Sequence, residues 1–168
     1  MKPIVTLTTI PSRLNPGTEF GDHDEGIKAC INSLMNQTYN GYEIHFNIPN
    51  TNSHTGEEYV IPSWLSDLEG DILKIFRTED HGSITKLVPT ILRVNEPDRI
   101  IIVCDDDLVY HEEMVSEQVN NQSKFTNSAV GYDGMRLKTS IFNDVRDYFC
   151  SSCRIDGEVR VLQGYKTV

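Results

Sequence analysis

Three consecutive aspartates, Asp105, Asp106 and Asp107, directly follow a strongly apolar segment that runs from Arg99 to Cys104. Near-continuous apolar residues predict a strand that is covered on both faces, so the aspartates should lie where a buried strand meets solvent. Carboxylates this close repel one another, which raises the pKa of at least one of them unless a cation compensates. Carboxylate oxygens suit Mg²⁺ or Mn²⁺. The sequence therefore predicts a divalent-cation site at this strand end.

The alternative for the same aspartates is a solvated acidic turn. Together with Glu112 and Glu113, such a turn would stabilise the start of a following helix through the helix dipole. Alternation along an extended segment would instead put Asp105 and Asp107 on one side and Asp106 on the other. The outer two could then hold metal and sugar, with Asp106 supporting them from behind. The apolar strand before the aspartates favours this second interpretation.

Strands and helices alternate in the part of the chain that must position these aspartates. Four segments are predicted as strands: Ile4 to Ile10, Tyr42 to Ile48, Ile72 to Phe76 and Arg99 to Cys104. Helical spacing of apolar residues predicts three helices, the second with a proline inside it: Ile27 to Met35, Ile84 to Leu92 and Tyr110 to Phe125. This order predicts an α/β domain whose central sheet is mostly parallel or mixed, with helices on both faces. Ligands on such sheets bind outside the carboxyl ends of the strands, next to Thr8 to Arg13 and the aspartates.

Composition and charge narrow the classes of function. The chain has 168 residues, of which 38% are hydrophobic, and a net charge of -10. This length suits one domain with one core. The negative charge disfavours nucleic acid, which attracts clustered Lys and Arg. No apolar run approaches the roughly 20 residues that cross a bilayer, and Met1 to Thr6 lacks the apolar stretch of a secretory signal. We therefore expect a single-domain cytoplasmic protein with no membrane span and no nucleic-acid partner.

Two further groups of residues have the types, although not the full spacing, of metal or redox sites. Cys150 and Cys153 are spaced like half of a zinc site or a redox pair, but a second pair is missing and no histidine follows. Cys30 and Cys104 lie in apolar stretches and are expected to be reduced core residues. His111 follows Asp107 by four residues, and an exposed residue at a helix start is expected there rather than a ligand.

Four stretches in the first two thirds of the chain resemble the GT-A glycosyltransferases, in particular small glycosyltransferases that large DNA viruses of algae (chlorella viruses) encode for capsid glycans. They are Ile4 to Arg13, Ser33 to Tyr39, Gly82 to Leu87 and Ile102 to Tyr110. The last contains the Asp-x-Asp (DxD) element of such enzymes. The resemblance implies a GT-A-like, Rossmann-like fold in one domain over residues 1–168, with a nucleotide-sugar-binding part at about 1–110 and an acceptor part at about 111–168. The resemblance leaves open whether the acceptor part is truncated. For a viral protein, it implies a location in the host cytoplasm.

The resemblance also implies a donor site, residue by residue. The residues that would bind the nucleotide sugar are Thr8, Thr9, Arg13, Lys86, Asp105 and Asp106, and those that would bind Mn²⁺ or Mg²⁺ are Asp107 and Asp105. Arg13 would pair with phosphate through its fork of donors. Lys86, just after Gly82 at an expected helix start, would complete an anion site. For both cations the alternative is a solvated surface residue.

The implied function is metal-dependent transfer of a hexose from a nucleotide sugar, with UDP-glucose or a similar UDP-sugar favoured, to a hydroxyl of a glycan or glycoprotein. The metal would stabilise negative charge on the departing nucleoside diphosphate. An inverting enzyme would also need a general base. The downstream carboxylates that could serve are Asp144, Asp147, Asp156 and Glu158. No motif selects one of them, and inverting or retaining stereochemistry stays open.

Two other classes of protein fit parts of the pattern. A nucleotidyltransferase that makes sugar nucleotides usually carries a glycine-rich phosphate loop after its first strand, whereas this chain has no glycine there before Gly17. A non-catalytic carbohydrate- or metal-binding module would need no nucleotide pocket. Binding of a nucleoside diphosphate that depends on Mn²⁺ would separate the transferase from the binding module.

Overall fold

A four-stranded parallel sheet is the centre of the fold. The computed structural model describes residues 2–14, 23–132, 134–135 and 161–162. The strands are β1 (Ile4–Leu7), β2 (Glu43–Pro49), β3 (Leu73–Thr78) and β4 (Ile101–Val103), in the order β3-β2-β1-β4. Every neighbouring pair in this sheet is parallel. Two short strands, β5 (Gly134–Met135) and β6 (Val161–Leu162), form a separate antiparallel pair. The predicted α/β class with a mostly parallel sheet is confirmed.

Helices connect the strands, with bounds that differ from the predicted ones. They are α1 (Pro11–Leu14), α2 (His23–Met35), α3 (Ser63–Ser66), α4 (Val88–Arg93) and α5 (Met114–Lys124), with a 3₁₀ helix at Gly82–Lys86. The first strand is three residues shorter than predicted because the chain turns at Thr8 and Thr9 and enters α1 at Pro11. In the described residues, no helix is both long and apolar enough to traverse a bilayer.

One face of the sheet is apolar and forms the main core. Five of its side chains are fully buried: Val5, Leu7, Ile44, Phe46 and Ile48. They belong to one hydrophobic cluster with residues of α2 and α5, which include Ile27, Ile31, Leu34, Met114 and Val115. Full burial of each such side chain stabilises the fold by about 1.5–3 kcal/mol. The predicted apolar face of the helix that begins near Ile27 is therefore confirmed, and α2 covers this side of the sheet.

The opposite face of the sheet presents several buried polar side chains. The segment from Ile84 to Leu92 is helical and irregular, as predicted, because a 3₁₀ helix is followed by α4. Three of its apolar side chains are not buried, since Ile84, Ile91 and Leu92 are 56%, 50% and 79% exposed. Thr85 and Thr90 face inward instead and are buried. The reason is the sheet itself, since the buried side chains that it presents there include Thr6 and Asn47 and need hydrogen-bonding partners.

The strand order creates a crevice beside the aspartates. From β1, the chain adds β2 and β3 on one side of the sheet and β4 on the other. In doubly wound sheets, ligands bind outside the carboxyl ends of the strands at the point where the order reverses. Thr8 and Thr9 follow β1, and Asp105 to Asp107 follow β4 shortly after Val103. The topology thus brings together the two loops that were expected to carry the site.

Candidate functional site

A cavity of about 360 Å³ opens at the carboxyl ends of β1 and β4. This volume is in the range of pockets that hold small molecules. Five of the residues predicted to bind the nucleotide sugar line it, namely Thr8, Thr9, Lys86, Asp105 and Asp106. Arg13 and Asp107 are not part of the lining. Arg13 forms ion pairs with both Asp106, which lines the cavity, and Asp107.

The side chain of Asp105 pairs with Lys86, and its backbone is hydrogen-bonded by Tyr110. Lys86 Nζ donates to Asp105 Oδ1 at 2.6 Å, and both side chains are mostly buried. The Tyr110 hydroxyl accepts from the Asp105 amide at 2.9 Å and donates to its carbonyl at 3.0 Å. Because burial raises the pKa of Tyr110, its hydroxyl stays a donor. Asp105 is therefore a rigidly placed carboxylate, and the alternative of a solvated surface residue for Lys86 is wrong.

Lys86 occupies a different place in its helix from the one expected. It ends the 3₁₀ helix Gly82–Lys86 rather than lying in the first turn of an α-helix. The residues of that helix that line the cavity beside Lys86 are Gly82 and Ser83. Its ammonium group thus reaches the cavity from the end of this helix rather than from its first turn.

Asp106 joins the loops that follow β1 and β4. Its side chain is buried, with the whole residue only 7% exposed. Thr9 Oγ1 donates to Asp106 Oδ2 at 2.5 Å, and Arg13 donates to Asp106 Oδ1. Burial raises the pKa of Asp106, although the Thr9 hydrogen bond and the Arg13 charge oppose this effect. Asp106 thus has a supporting role between two loops, and Arg13 is an ion-paired residue rather than a solvated one.

Asp107 is the most accessible of the three aspartates. Its side chain is 53% exposed, and Arg13 Nη2 lies 3.1 Å from Asp107 Oδ2. The predicted split, with Asp105 and Asp107 on one side and Asp106 on the other, is wrong, since Asp106 and Asp107 share Arg13 while Asp105 pairs with Lys86. Strand alternation no longer applies after Val103 because β4 ends there and the chain bends.

The three aspartates offer hard oxygen donors but not a complete metal site. Across the described ranges, no three His, Cys, Asp or Glu side chains converge as such a site. Mg²⁺ usually takes one or two carboxylates and completes its shell with substrate phosphates and water. Asp105 and Asp107 pair with Lys86 and Arg13 respectively, and their role as ligands of one cation stays a prediction. The nearby thiol of Cys30 is not suited as a ligand, because burial, together with the charge of Asp106, raises its pKa to about 12.

One wall of the cavity consists of residues that the sequence did not single out. These are Asn52, His54 and Tyr59, which lie between β2 and α3. Asp80 fastens this loop, because the Ser53 amide donates to Asp80 Oδ2 at 2.7 Å. The only local signal was an aromatic residue, Tyr59, at the end of a polar stretch.

Asp80 and His81 directly precede the 3₁₀ helix Gly82–Lys86. Asp80 lines the cavity, whereas His81 does not appear in the lining. Its carboxylate accepts from the Ser53 amide and hydroxyl, from the Gly82 amide at 2.8 Å and from the Thr85 hydroxyl at 3.3 Å. Burial raises the pKa of Asp80, but these hydrogen bonds outweigh it and hold the pKa below its usual value. Asp80 therefore organises the wall of the cavity.

The segment after the aspartates is anchored by the end of α2. Gln37 Oε1 accepts from the Val115 amide at 3.0 Å, and Gln37 Nε2 donates to the His111 carbonyl at 2.9 Å. Helix α5 has no side-chain cap of its own at Glu113, so Gln37 supplies the missing acceptor. The stretch from Ser33 to Tyr39 thus stabilises the start of α5 through direct hydrogen bonds of Gln37.

Several other predicted residues lie away from the cavity or outside the described part of the chain. His111 is half exposed and contacts Glu117 and the Tyr132 hydroxyl, which it meets at 3.0 Å. The candidate general bases and the cysteine pair fall in residues that the structure does not describe: Asp144, Asp147, Asp156, Glu158, Cys150 and Cys153. Their roles stay predictions.

Comparison with known proteins identifies the family. The model of glycosyl transferase family 2 matches residues 23–154, which is well over half of the chain and includes Lys86 and the three aspartates. Thr8, Thr9 and Arg13 precede the matched range. No match to a curated protein was found. Members of this family transfer a sugar from a nucleotide-sugar donor to an acceptor and have the GT-A, Rossmann-like fold that the parallel sheet displays. The chain therefore belongs to glycosyl transferase family 2.

Proposed function

We propose that this domain transfers a hexose from a UDP-sugar, such as UDP-glucose, to a hydroxyl of a glycan with the help of Mn²⁺ or Mg²⁺. The observation that carries the proposal is the pairing of two cations with three carboxylates at the rim of one cavity. Lys86 contacts Asp105, and Arg13 contacts Asp106 and Asp107. A nucleoside diphosphate and a divalent cation carry the opposite charges to these two sets of side chains.

The existing ion pairs support a simple exchange of partners. When the diphosphate enters the cavity, Lys86 and Arg13 turn from carboxylates to phosphate oxygens, for which the fork of Arg13 is well shaped. Asp107 and Asp105 would hold the metal, which would stabilise negative charge on the departing diphosphate. Asp106 keeps Thr9 and the neighbouring loops in place. The chain's own task is thus to bind and orient the diphosphate.

The part of the cavity lined by Asn52, His54 and Tyr59 is the proposed place of the nucleoside. The acceptor is proposed to be a glycan of a capsid glycoprotein, and the location the host cytoplasm, on the resemblance to transferases of algal viruses. These parts of the proposal rest on that resemblance alone.

Calorimetric titration of UDP and UDP-glucose, with and without Mn²⁺, tests the donor site. The variants are Asp107→Ala and, as a matched control, Asp98→Ala, which removes an exposed aspartate outside the cavity. We expect metal-dependent binding that is lost in Asp107→Ala and kept in Asp98→Ala. Hydrolysis of the donor would then rank the sugars. If no nucleoside diphosphate binds under any metal condition, the proposal fails and a carbohydrate- or metal-binding module takes its place.

A further inference from the structure

The carbonyl of Lys86 has no helical partner. The 3₁₀ helix ends at Lys86, and α4 begins at Val88. In a continuous helix, this carbonyl would accept from the amide three or four residues later. Three residues later stands Pro89, which has no N–H. Four residues later, the Thr90 amide donates to the Leu87 carbonyl at 3.0 Å instead. A buried carbonyl in this situation needs another donor.

That donor comes from the middle of the sheet. Thr6 Oγ1 donates to the Lys86 carbonyl at 2.6 Å across 80 residues of sequence. Thr6 also meets Thr90 Oγ1 at 2.7 Å. A carbonyl can only accept, so the single hydroxyl proton of Thr6 goes to Lys86 and Thr90 must donate to Thr6. The direction of both hydrogen bonds is thereby determined by the chemistry of the groups.

Asn47 completes this buried network. Its Nδ2 donates to Thr6 Oγ1 at 3.1 Å and to Thr90 Oγ1 at 2.9 Å. Its Oδ1 accepts from Arg93 Nη2 at 3.0 Å. Its own backbone carbonyl accepts from Thr8 Oγ1 at 2.7 Å, on the loop that lines the cavity. Thr6, Asn47 and Thr90 are each fully buried, so every one of these groups depends on its partners.

A buried polar side chain lowers the stability of the fold unless its hydrogen bonds are made, and an apolar side chain at the same position of the sheet would not carry this requirement. The network holds the carbonyl of Lys86 from two sides, through Thr6 and through Asn47 Nδ2 at 3.5 Å, and Lys86 Nζ lies 2.6 Å from Asp105 Oδ1. We propose that Thr6 and Asn47 are positioning residues, which fix the backbone of Lys86 so that its ammonium group stays at the cavity. The identity of the ligand that Lys86 then meets rests on the proposed function.

A double-mutant cycle in ligand binding tests this role. Thr6→Val keeps the shape of the side chain and removes its hydroxyl, and Lys86→Met removes the ammonium group. We expect Thr6→Val to weaken binding of UDP with Mn²⁺ by about two- to tenfold, the worth of one hydrogen bond, and to leave binding of uridine unchanged. In the Lys86→Met background, Thr6→Val should have little further effect. Additive losses, or equal losses for UDP and uridine, would overturn the proposal.

Thr6→Ser is the conservative control because it keeps the hydroxyl and loses only a methyl group. We expect it to retain the UDP affinity of the wild type, and a loss as large as in Thr6→Val would assign the effect to packing instead. Thr6→Ala, which adds no bulk, replaces Thr6→Val if that variant does not fold.

A second cycle needs no nucleotide and so separates this inference from the proposed function. Urea unfolding of Thr6→Val, Lys86→Met and the double variant measures whether Thr6 supports the contact between Lys86 and Asp105. We expect Lys86→Met to destabilise the Thr6→Val protein less than the wild type. Strict additivity would refute the positioning role, even if UDP binds as proposed. If the cycle shows coupling but no nucleotide binds, the positioning role stands and the donor site falls.

Discussion

Lys86 Nζ lies 2.6 Å from Asp105 Oδ1, although Lys86 ends the 3₁₀ helix Gly82–Lys86 and Asp105 lies on the loop after β4. Arg13 makes the corresponding contact with Asp106 and Asp107. The cluster of aspartates therefore carries its own counterions, which explains how three consecutive carboxylates are tolerated at the end of a buried strand. It also means that a metal ion must compete with a lysine and an arginine for the same oxygens.

Lys86→Met should separate metal binding from diphosphate binding. Without Lys86, Asp105 is free to bind Mn²⁺, so we expect Mn²⁺ alone to bind about three- to tenfold more tightly than to the wild type. In the presence of Mn²⁺, we expect UDP to bind more weakly because a phosphate partner is gone. Calorimetry with each ligand measures both constants. A variant that loses Mn²⁺ and UDP affinity together would contradict the competition.

Arg13→Gln should destabilise the fold through Asp106. The variant leaves a buried carboxylate with Thr9 as its hydrogen-bond donor and no neighbouring charge from Arg13, at a cost of about 1–3 kcal/mol in the free energy of unfolding. The lower end applies because Arg13 itself is partly exposed. Urea unfolding measures the change. Asp106→Asn is the control, and Arg13→Gln should cost much less in that background; equal costs in both backgrounds would show that Arg13 acts elsewhere.

Asp80→Asn should change how stability depends on pH. The folded protein holds the pKa of Asp80 below its usual value of 3.8, so the ionised carboxylate stabilises the fold above that pH. This contribution is lost as the pH falls through the lower, folded pKa. We expect Asp80→Asn to be less stable than the wild type by about 1 kcal/mol at neutral pH, and the difference to shrink as the pH drops below the usual value. Urea titrations at several pH values measure it, and a constant difference would be evidence against this account.

Gln37→Ala should loosen the start of α5. The side chain accepts from the Val115 amide and donates to the His111 carbonyl, so its loss should cost about 1–2 kcal/mol. Asn36→Ala is a matched control, because the Asn36 amide bonds to the Asn32 carbonyl of its own helix. Hydrogen exchange of the α5 amides locates the effect. If both variants reduce protection of α5 equally, Gln37 does not act as its cap.

Runs of apolar residues predicted the strands and the helix α2, because burial on both faces is recorded directly in composition. The same reasoning put the aspartates at the carboxyl edge of the sheet, where they lie. It predicted the helical segment from Ile84 to Leu92, but not that Ile84, Ile91 and Leu92 would be exposed. Local periodicity cannot report that the facing strands present Thr6 and Asn47, since that depends on which strands are neighbours.

The sequence by itself determined the α/β class, the place of Asp105 to Asp107 after a buried strand and the family to which the chain belongs. Only the tertiary structure decided which basic side chain pairs with which aspartate. It also decided that Asp80 accepts a hydrogen bond from the Ser53 amide and that Thr6 donates to the Lys86 carbonyl. Each of these contacts joins residues that are distant in sequence. Their partners follow from the strand order and from the missing amide of Pro89, which become visible only when the chain is folded.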